Sequence, residues 1–224
     1  NYKVIGVVRR NSRYDFNKLK DEINNKNFSI ETADLNDLPS LINIVKNNPV
    51  EEIYNLAAQS HVGISFTNPI STTEINAIGT LNLLESIRLI NKDIKFYQAS
   101  SSELFGDTTE KFQNEDSLFQ PRSPYGCAKL FAFAITKNYR EAYDMFASNG
   151  ILFNHESPRR SINFVTRKVT SSFAKIKYNK LDCLEIGNLD SKRDWGYAKD
   201  FVVMIWKMLQ HDKPDDFVIA TGEV

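Results

Sequence analysis

The sequence predicts an α/β protein organised around a doubly wound parallel sheet, and three observations predict it. Short apolar, β-branched runs alternate with longer helical stretches over most of the chain, the pattern of strands joined by crossover helices. Small and hydroxyl-bearing residues follow several of those runs, where open α/β sheets gather their ligands. Beyond about Glu156 the alternation loosens, as expected for a smaller appended lobe.

The elements follow in order. Val4 to Val8 reads as a buried strand, and Phe28 to Thr32 as a second, less apolar one. A helix is expected from Asp37 to Asn47, with Pro39 near its first turn, and a short strand from Glu52 to Leu56. A long helix from about Ile70 to Asn91 would bury Ile75, Ile78, Leu83, Leu84 and Ile87. The strand Ile94 to Ala99 is followed by a helix from Tyr125 to about Tyr143, with Ser123 as N-cap and Pro124 at its first position. A strand from Ile151 to Asn154 completes a Rossmann-like, dinucleotide-binding domain over residues 1–156. Residues 157–224 read as part of a substrate-binding lobe with some elements returning to the main sheet. Its expected elements are a helix from Thr166 to Lys177, a strand from Cys183 to Ile186, a helix from Lys199 to Gln210 and a strand from Phe217 to Ala220.

A dinucleotide fold of this type opens with a strand, a glycine-rich turn and a helix. Here the sequence begins at what reads as the second strand. The chain is therefore expected to be an internal piece of a longer protein, and to bind cofactor poorly on its own.

Composition narrows the function. The 28 basic and 28 acidic residues cancel, so no charge excess argues for nucleic acid or an anionic membrane. No apolar run approaches the roughly 18 residues of a membrane span, and the opening residues lack signal-peptide features. Cys127 and Cys183 are too few for a disulfide framework or zinc site, and the three histidines lack metal-ligand spacing. Reduced, buried thiols in a cytoplasmic protein are expected.

The chemistry centres on Tyr125 and Lys129, which share a helix face at i and i+4. A nearby ammonium favours phenolate and lowers a tyrosine from its usual value of about 10. A phenolate so placed can take a hydroxyl proton while a hydride leaves the same carbon. Upstream, the strand ends in Ser100, Ser101, Ser102 and Glu103, which add hydroxyls and a separate carboxylate. Arg9, Arg10 and Ser12 follow the first visible strand, where arginines accommodate a 2′-phosphate, so NADP is the expected cofactor. Asp34 and Leu35 could meet its adenine, and Leu56, Ala57, Ala58 and Ser60 would allow close backbone approach.

Tyr-x-x-x-Lys resembles the catalytic pair of extended short-chain dehydrogenase/reductases. The blocks Gln98 to Gly106, Asn154 to Arg160, Val165 to Lys168 and Lys192 to Ala198 resemble the GDP-mannose 4,6-dehydratase family more specifically. So do Asn55 to Val62 and Arg9 to Ser12, and the likeness covers nearly all of the chain. The resemblance implies an NADP-dependent hydro-lyase acting on GDP-mannose, the first step toward GDP-fucose or a related deoxysugar. It implies that Tyr125 takes the 4-hydroxyl proton, Lys129 supports Tyr125 and the ribose, and Glu103 removes the carbon 5 proton and helps expel water. Ser101 would hydrogen-bond the 4-oxygen and Ser102 would assist Glu103. His155 and Arg160 would contact the cofactor, and Asn154, Lys168 and Arg193 the nucleotide sugar. The arginine-containing loop would reach a neighbouring subunit, giving a homodimer or homotetramer. One departure is visible: Ser161-Ile162-Asn163-Phe164 stands where the family has Gly-Glu-Thr-Phe. Rival readings are a dTDP-glucose dehydratase, a nucleotide-sugar 4-epimerase, which would not need Glu103, and a non-catalytic NADP-binding fragment.

Overall fold

The structure, a computed structural model, describes residues 2–11 and 17–223. Strands β1 (Val4–Val8) and β2 (Phe28–Thr32) form a parallel pair. Helix α1 (Leu38–Asn47) follows, its N-cap Asp37 accepting from Ser40 N. Strand β3 (Glu52–Asn55) leads to the short helices α2 (Val62–Thr67) and α3 (Pro69–Thr73). A π-helical turn at Glu74–Ile78 joins α3 to α4 (Gly79–Ile90). After β4 (Lys95–Ser101) come α5 (Pro124–Tyr143), β5 (Ala147–Leu152) and β6 (Asn154–Glu156). Helix α6 (Val165–Lys177), β7 (Trp195–Tyr197), α7 (Ala198–Leu209) and β8 (Asp216–Ile219) complete the order.

The larger sheet runs β3-β4-β5-β8 with every pairing parallel. Helices cover both of its faces. Phe96 of β4 turns toward α1, α4 and α5, packing with Leu41, Leu84, Ile87 and Tyr139. Its neighbour Tyr97 turns the other way, onto Phe201, Ile205 and Leu209 of α7. That alternation is the doubly wound arrangement. Among the described residues, β1 and β3 share no ladder. Their starts are linked instead through Tyr2, whose hydroxyl reaches Glu52 Oε1 at 3.3 Å and accepts from Trp206 Nε1 at 2.8 Å.

Five expectations change. The long helix is interrupted by the π turn, so Ile78 is exposed while Asn76, Ala77, Gly79 and Thr80 are buried. Strand β5 begins at Ala147 rather than Ile151, because its polar half is satisfied inside the sheet. Asn149 donates to Phe133 O and Asp216 Oδ1, and Ser148 Oγ accepts from Asp215 N. Asn154 belongs to β6, which pairs with β7 rather than with the main sheet. No strand forms at Cys183–Ile186, where the chain is largely exposed and no neighbouring strand offers it a ladder. Both cysteines are free and exposed rather than buried.

Candidate active site

The site is built where β4 ends. Ser101 has extended backbone and caps a single 3-10 turn over Ser102–Leu104, its hydroxyl accepting from Glu103 N at 3.2 Å. Leu104 is fully buried beneath this turn, which fixes the backbone beside it. Helix α5 starts against the same turn. Ser123 accepts from Gly126 N at 3.0 Å, and Pro124 sits in the first turn. Gly126 is required by proximity, since a Cβ there would lie 2.9 Å from Pro121 Cβ and 3.0 Å from Glu103 O. The contact brings the first turn of α5, with Tyr125, against the carboxylate-bearing turn.

Tyr125 and Lys129 both point into the interior. Lys129 Nζ donates to Ala99 O at 2.9 Å and lies 5.9 Å from the Tyr125 ring centre. Burial pushes the Lys129 ammonium down to about 8. Burial also raises the Tyr125 phenol, opposed by its hydrogen bond with Ser101; the charge of Glu103 raises it further and that of Arg160 lowers it. The expectation that Lys129 draws Tyr125 below its ordinary value is therefore not met in the chain as described. The reason is that one desolvated pocket penalises charge on both groups. The Arg160 guanidinium favours the phenolate but does not offset the burial.

A cavity of about 370 Å³ opens beside the Glu103 turn, and Ser101, Tyr125, Lys129 and Arg160 are not among the residues that line it. Ser102, Glu103, Asn154 and Arg193 line it together, as do Arg122 and Asp194, which the sequence reading passed over. Asp194 is buried and accepts from Thr221 N at 3.0 and 2.9 Å and from Gly222 N at 2.8 Å. It thereby ties the segment carrying Arg193 to the loop after β8. Its position beside Arg193 in the Lys192 to Ala198 block was the available signal. Lys168 does not join this group. It donates to Glu185 O and lines a second cavity, of about 420 Å³, with His61, Ile162 and Asn163.

The cofactor candidates lie at the carboxyl ends of β1 to β3 and on β6. Arg9 and Arg10 are exposed after β1; Ser12 lies outside the described residues. Asp34 N donates to Ser40 Oγ, and Leu35 O accepts from Asn82 Nδ2 at 2.8 Å. Leu56 is 61% exposed, Ala57 and Ser60 are exposed, and Ala58 is half-buried. Their loop is held by Asn76, which bonds both the amide and the carbonyl of Gln59. The π turn thus brings a polar residue inward to shape the loop. On β6, His155 stacks on Phe201 with ring centres 4.7 Å apart, and its Nδ1 pairs with Phe153 O. Arg160 Nε lies 3.2 Å from Glu156 Oε2, an ion pair without hydrogen-bond alignment, and its guanidinium covers the Phe164 ring at 3.6 Å.

Comparison with known proteins decides the family. The family profile described as GDP-mannose 4,6 dehydratase matches residues 1–224. The chain belongs to the GDP-mannose 4,6-dehydratase family. It is 52% identical over 232 residues to GDP-mannose 4,6 dehydratase of Homo sapiens, covering 100% of this chain and 62% of that relative. It is 51% identical over 230 residues to that of Yersinia enterocolitica serotype O:8 / biotype 1B, covering 99% of this chain and 62% of the relative. The chain thus spans less than two thirds of the length of these family members. In fold it resembles RMD from Pseudomonas aeruginosa complexed with NADPH, with TM-score 0.80 and 24% identity over 88% of this chain and 70% of that one. It also resembles a Streptomyces venezuelae dTDP-glucose 4,6-dehydratase, with TM-score 0.86 and 20% identity over 97% of this chain and 66% of that one. Among the described residues no helix is long and apolar enough to cross a membrane, and no cluster could hold a metal ion.

Proposed function

We propose that this chain carries the catalytic group of a GDP-mannose 4,6-dehydratase, which converts GDP-D-mannose to GDP-4-dehydro-6-deoxy-D-mannose and water. The observation that carries the reading is Glu103 on the cavity wall, its amide held by the Ser101 hydroxyl at 3.2 Å and its turn packed against Gly126, next to Tyr125. A 4-epimerase needs the hydroxyl chemistry alone; the separate carboxylate is what elimination requires.

The residues fit NADP. Ala57 and Ala58 leave the loop after β3 without bulk, and the exposed Arg9 and Arg10 suit a 2′-phosphate. The Lys129 ammonium gives one donor to Ala99 O and keeps two for a ribose. When bound, NADP supplies acceptance of a hydride from carbon 4 and its return at carbon 6. Tyr125 takes the 4-hydroxyl proton, with the Ser101 hydroxyl and the Arg160 charge favouring its anion. The resulting ketone acidifies carbon 5. Glu103 takes that proton and delivers it to the departing 6-hydroxyl, so the carboxylate is restored as water leaves; once carbon 6 has been reduced, the proton held by Tyr125 returns by way of the 4-oxygen to carbon 5, which restores the phenolate. Asn154 and Arg193 stand on the same wall to hold the nucleotide sugar. Lys168 stands apart from them, on the second cavity.

The reading extends to a cytoplasmic homodimer or homotetramer, supported by the two unpaired thiols and by family membership. Residues 1–156 serve as its cofactor domain and 157–224 as part of its substrate lobe. The test is to incubate the full-length protein that contains this chain and NADP with GDP-mannose, dTDP-glucose and UDP-glucose, and to follow product mass. Loss of one water from GDP-mannose alone is expected. Isomerisation without mass change would instead establish an epimerase.

A further inference from the structure

We propose that Arg122 is a further ligand-binding residue of the 370 Å³ cavity, pairing with a phosphate of the nucleotide sugar's diphosphate. The inference rests on the proposed substrate class.

Arg122 lines the cavity with Glu103, Asn154, Lys192 and Arg193. Among the described residues, none of its three cations lies within ion-pair distance of a carboxylate. Arg193 spends a donor on Lys192 O. Three acids, Glu103, Asp107 and Asp194, line the same cavity, and none lies within ion-pair distance of these cations. Asp194 is engaged by the amides of Thr221 and Gly222, and Asp107 is exposed.

An exposed arginine on a loose loop is a solvated charge, but Arg122 is rigidly mounted. Gln120 N donates to Leu104 O at 2.9 Å, anchoring the approach to the fully buried residue under the Glu103 turn. Gly106, at φ 58°, backs so closely onto this segment that a Cβ would come within 1.8 Å of Gln120 O. Pro121 rests on Gly126, and Ser123 is the N-cap of α5. Arg122 is thus held between two fixed residues, three positions before Tyr125. A guanidinium presents its donors as a planar fork that matches phosphate oxygens, and a fixed backbone lowers the entropy lost on binding.

The test uses Arg122→Gln and Arg122→Lys in the full-length protein that contains this chain, titrated calorimetrically with GDP, UDP, dTDP, guanosine and NADP. Arg122→Gln should lose roughly tenfold or more in GDP affinity, the loss of one charge-assisted contact. Guanosine and NADP should bind as before, and Arg122→Lys should recover part of the loss. A change of twofold or less in GDP affinity overturns the proposal, and so does an equal loss for guanosine. A wild-type chain that prefers UDP or dTDP overturns the proposed substrate instead. The Arg122 comparison is then read with that nucleotide, because all three carry the same diphosphate.

Discussion

Replacing Lys129 with Met tests whether the interior of the site penalises charge as its geometry implies. Lys129 is buried within α5, and its ammonium has one hydrogen-bond partner, Ala99 O. Burial lowers its proton affinity from 10.5 to about 8. Below pH 8 the folded and unfolded chains both carry the proton, so the cost of the buried charge is borne in full. As pH rises from 8 toward 10.5 the folded chain releases its proton first while the unfolded chain keeps it. Stability therefore increases with pH across that window. The difference is worth about 3 kcal/mol at most, and most of it is recovered between pH 7 and pH 10. Other titrating groups contribute equally to wild type and variant and cancel in the comparison. Urea unfolding of both proteins at several pH values gives the quantity directly. The stability of wild type minus that of Lys129→Met should climb by about 2 to 3 kcal/mol from pH 7 to pH 10. A flat difference would refute the desolvated pocket, and with it the explanation for the raised Tyr125.

Glu103→Gln keeps the shape of the side chain but cannot accept a proton. Dehydration should fall by about 10² to 10⁴ in kcat while NADP binding, followed by fluorescence, stays unchanged; a normal rate would remove Glu103 from the elimination step. Asp194→Ala leaves the amides of Thr221 and Gly222 without their acceptor. It should cost about 1 to 3 kcal/mol per orphaned group in urea unfolding and raise the KM for GDP-mannose through the adjacent Arg193. Unchanged values of both would show that the clamp does not matter. Gly106→Ala places a Cβ against Gln120 O on backbone at φ 58°. A loss of at least about 1 to 3 kcal/mol in thermal unfolding is expected, and a neutral result would contradict the tight seat of this loop.

Much of the fold was legible because the decisive signals are local. Val4–Val8, Phe28–Thr32 and Pro124–Tyr143 form where expected, although Val4 and Val7 are exposed and the first strand is not the buried one the sequence suggests. The readings that changed depend on partners far away in sequence. Ser148, Asn149 and Gly150 look unlike a buried strand until Asp215, Asp216 and Tyr97 are placed beside them, the last so close that a Cβ on Gly150 would reach 2.4 Å from its hydroxyl. Asn76 breaks an amphipathic pattern because its side chain serves the Gln59 loop and not the helix. The ionisation of Tyr125 was misread for the same reason: spacing reveals Lys129, but burial and the reach of Arg160 are properties of the assembled site.

The sequence blocks that resembled the family most specifically are also the ones the fold makes neighbours. Asn154 to Glu156 and Trp195 to Tyr197 lie about forty residues apart yet pair as β6 and β7, with Asn154 opposite Trp195 and His155 opposite Gly196. Gly196 has to be glycine, since a Cβ there would come within 2.2 Å of the Phe201 ring on which His155 stacks. One small ladder therefore orients a cofactor candidate on one strand and places Arg193, just before the other, on the cavity wall. The Gly126 contact does the same for Tyr125 and Lys129 by seating α5 on the Glu103 turn. Close backbone approaches at two glycines thus convert four separate stretches of sequence into one site. A side chain at either position would shift the acid from the hydroxyl, or the histidine from its ring, without touching any group that reacts.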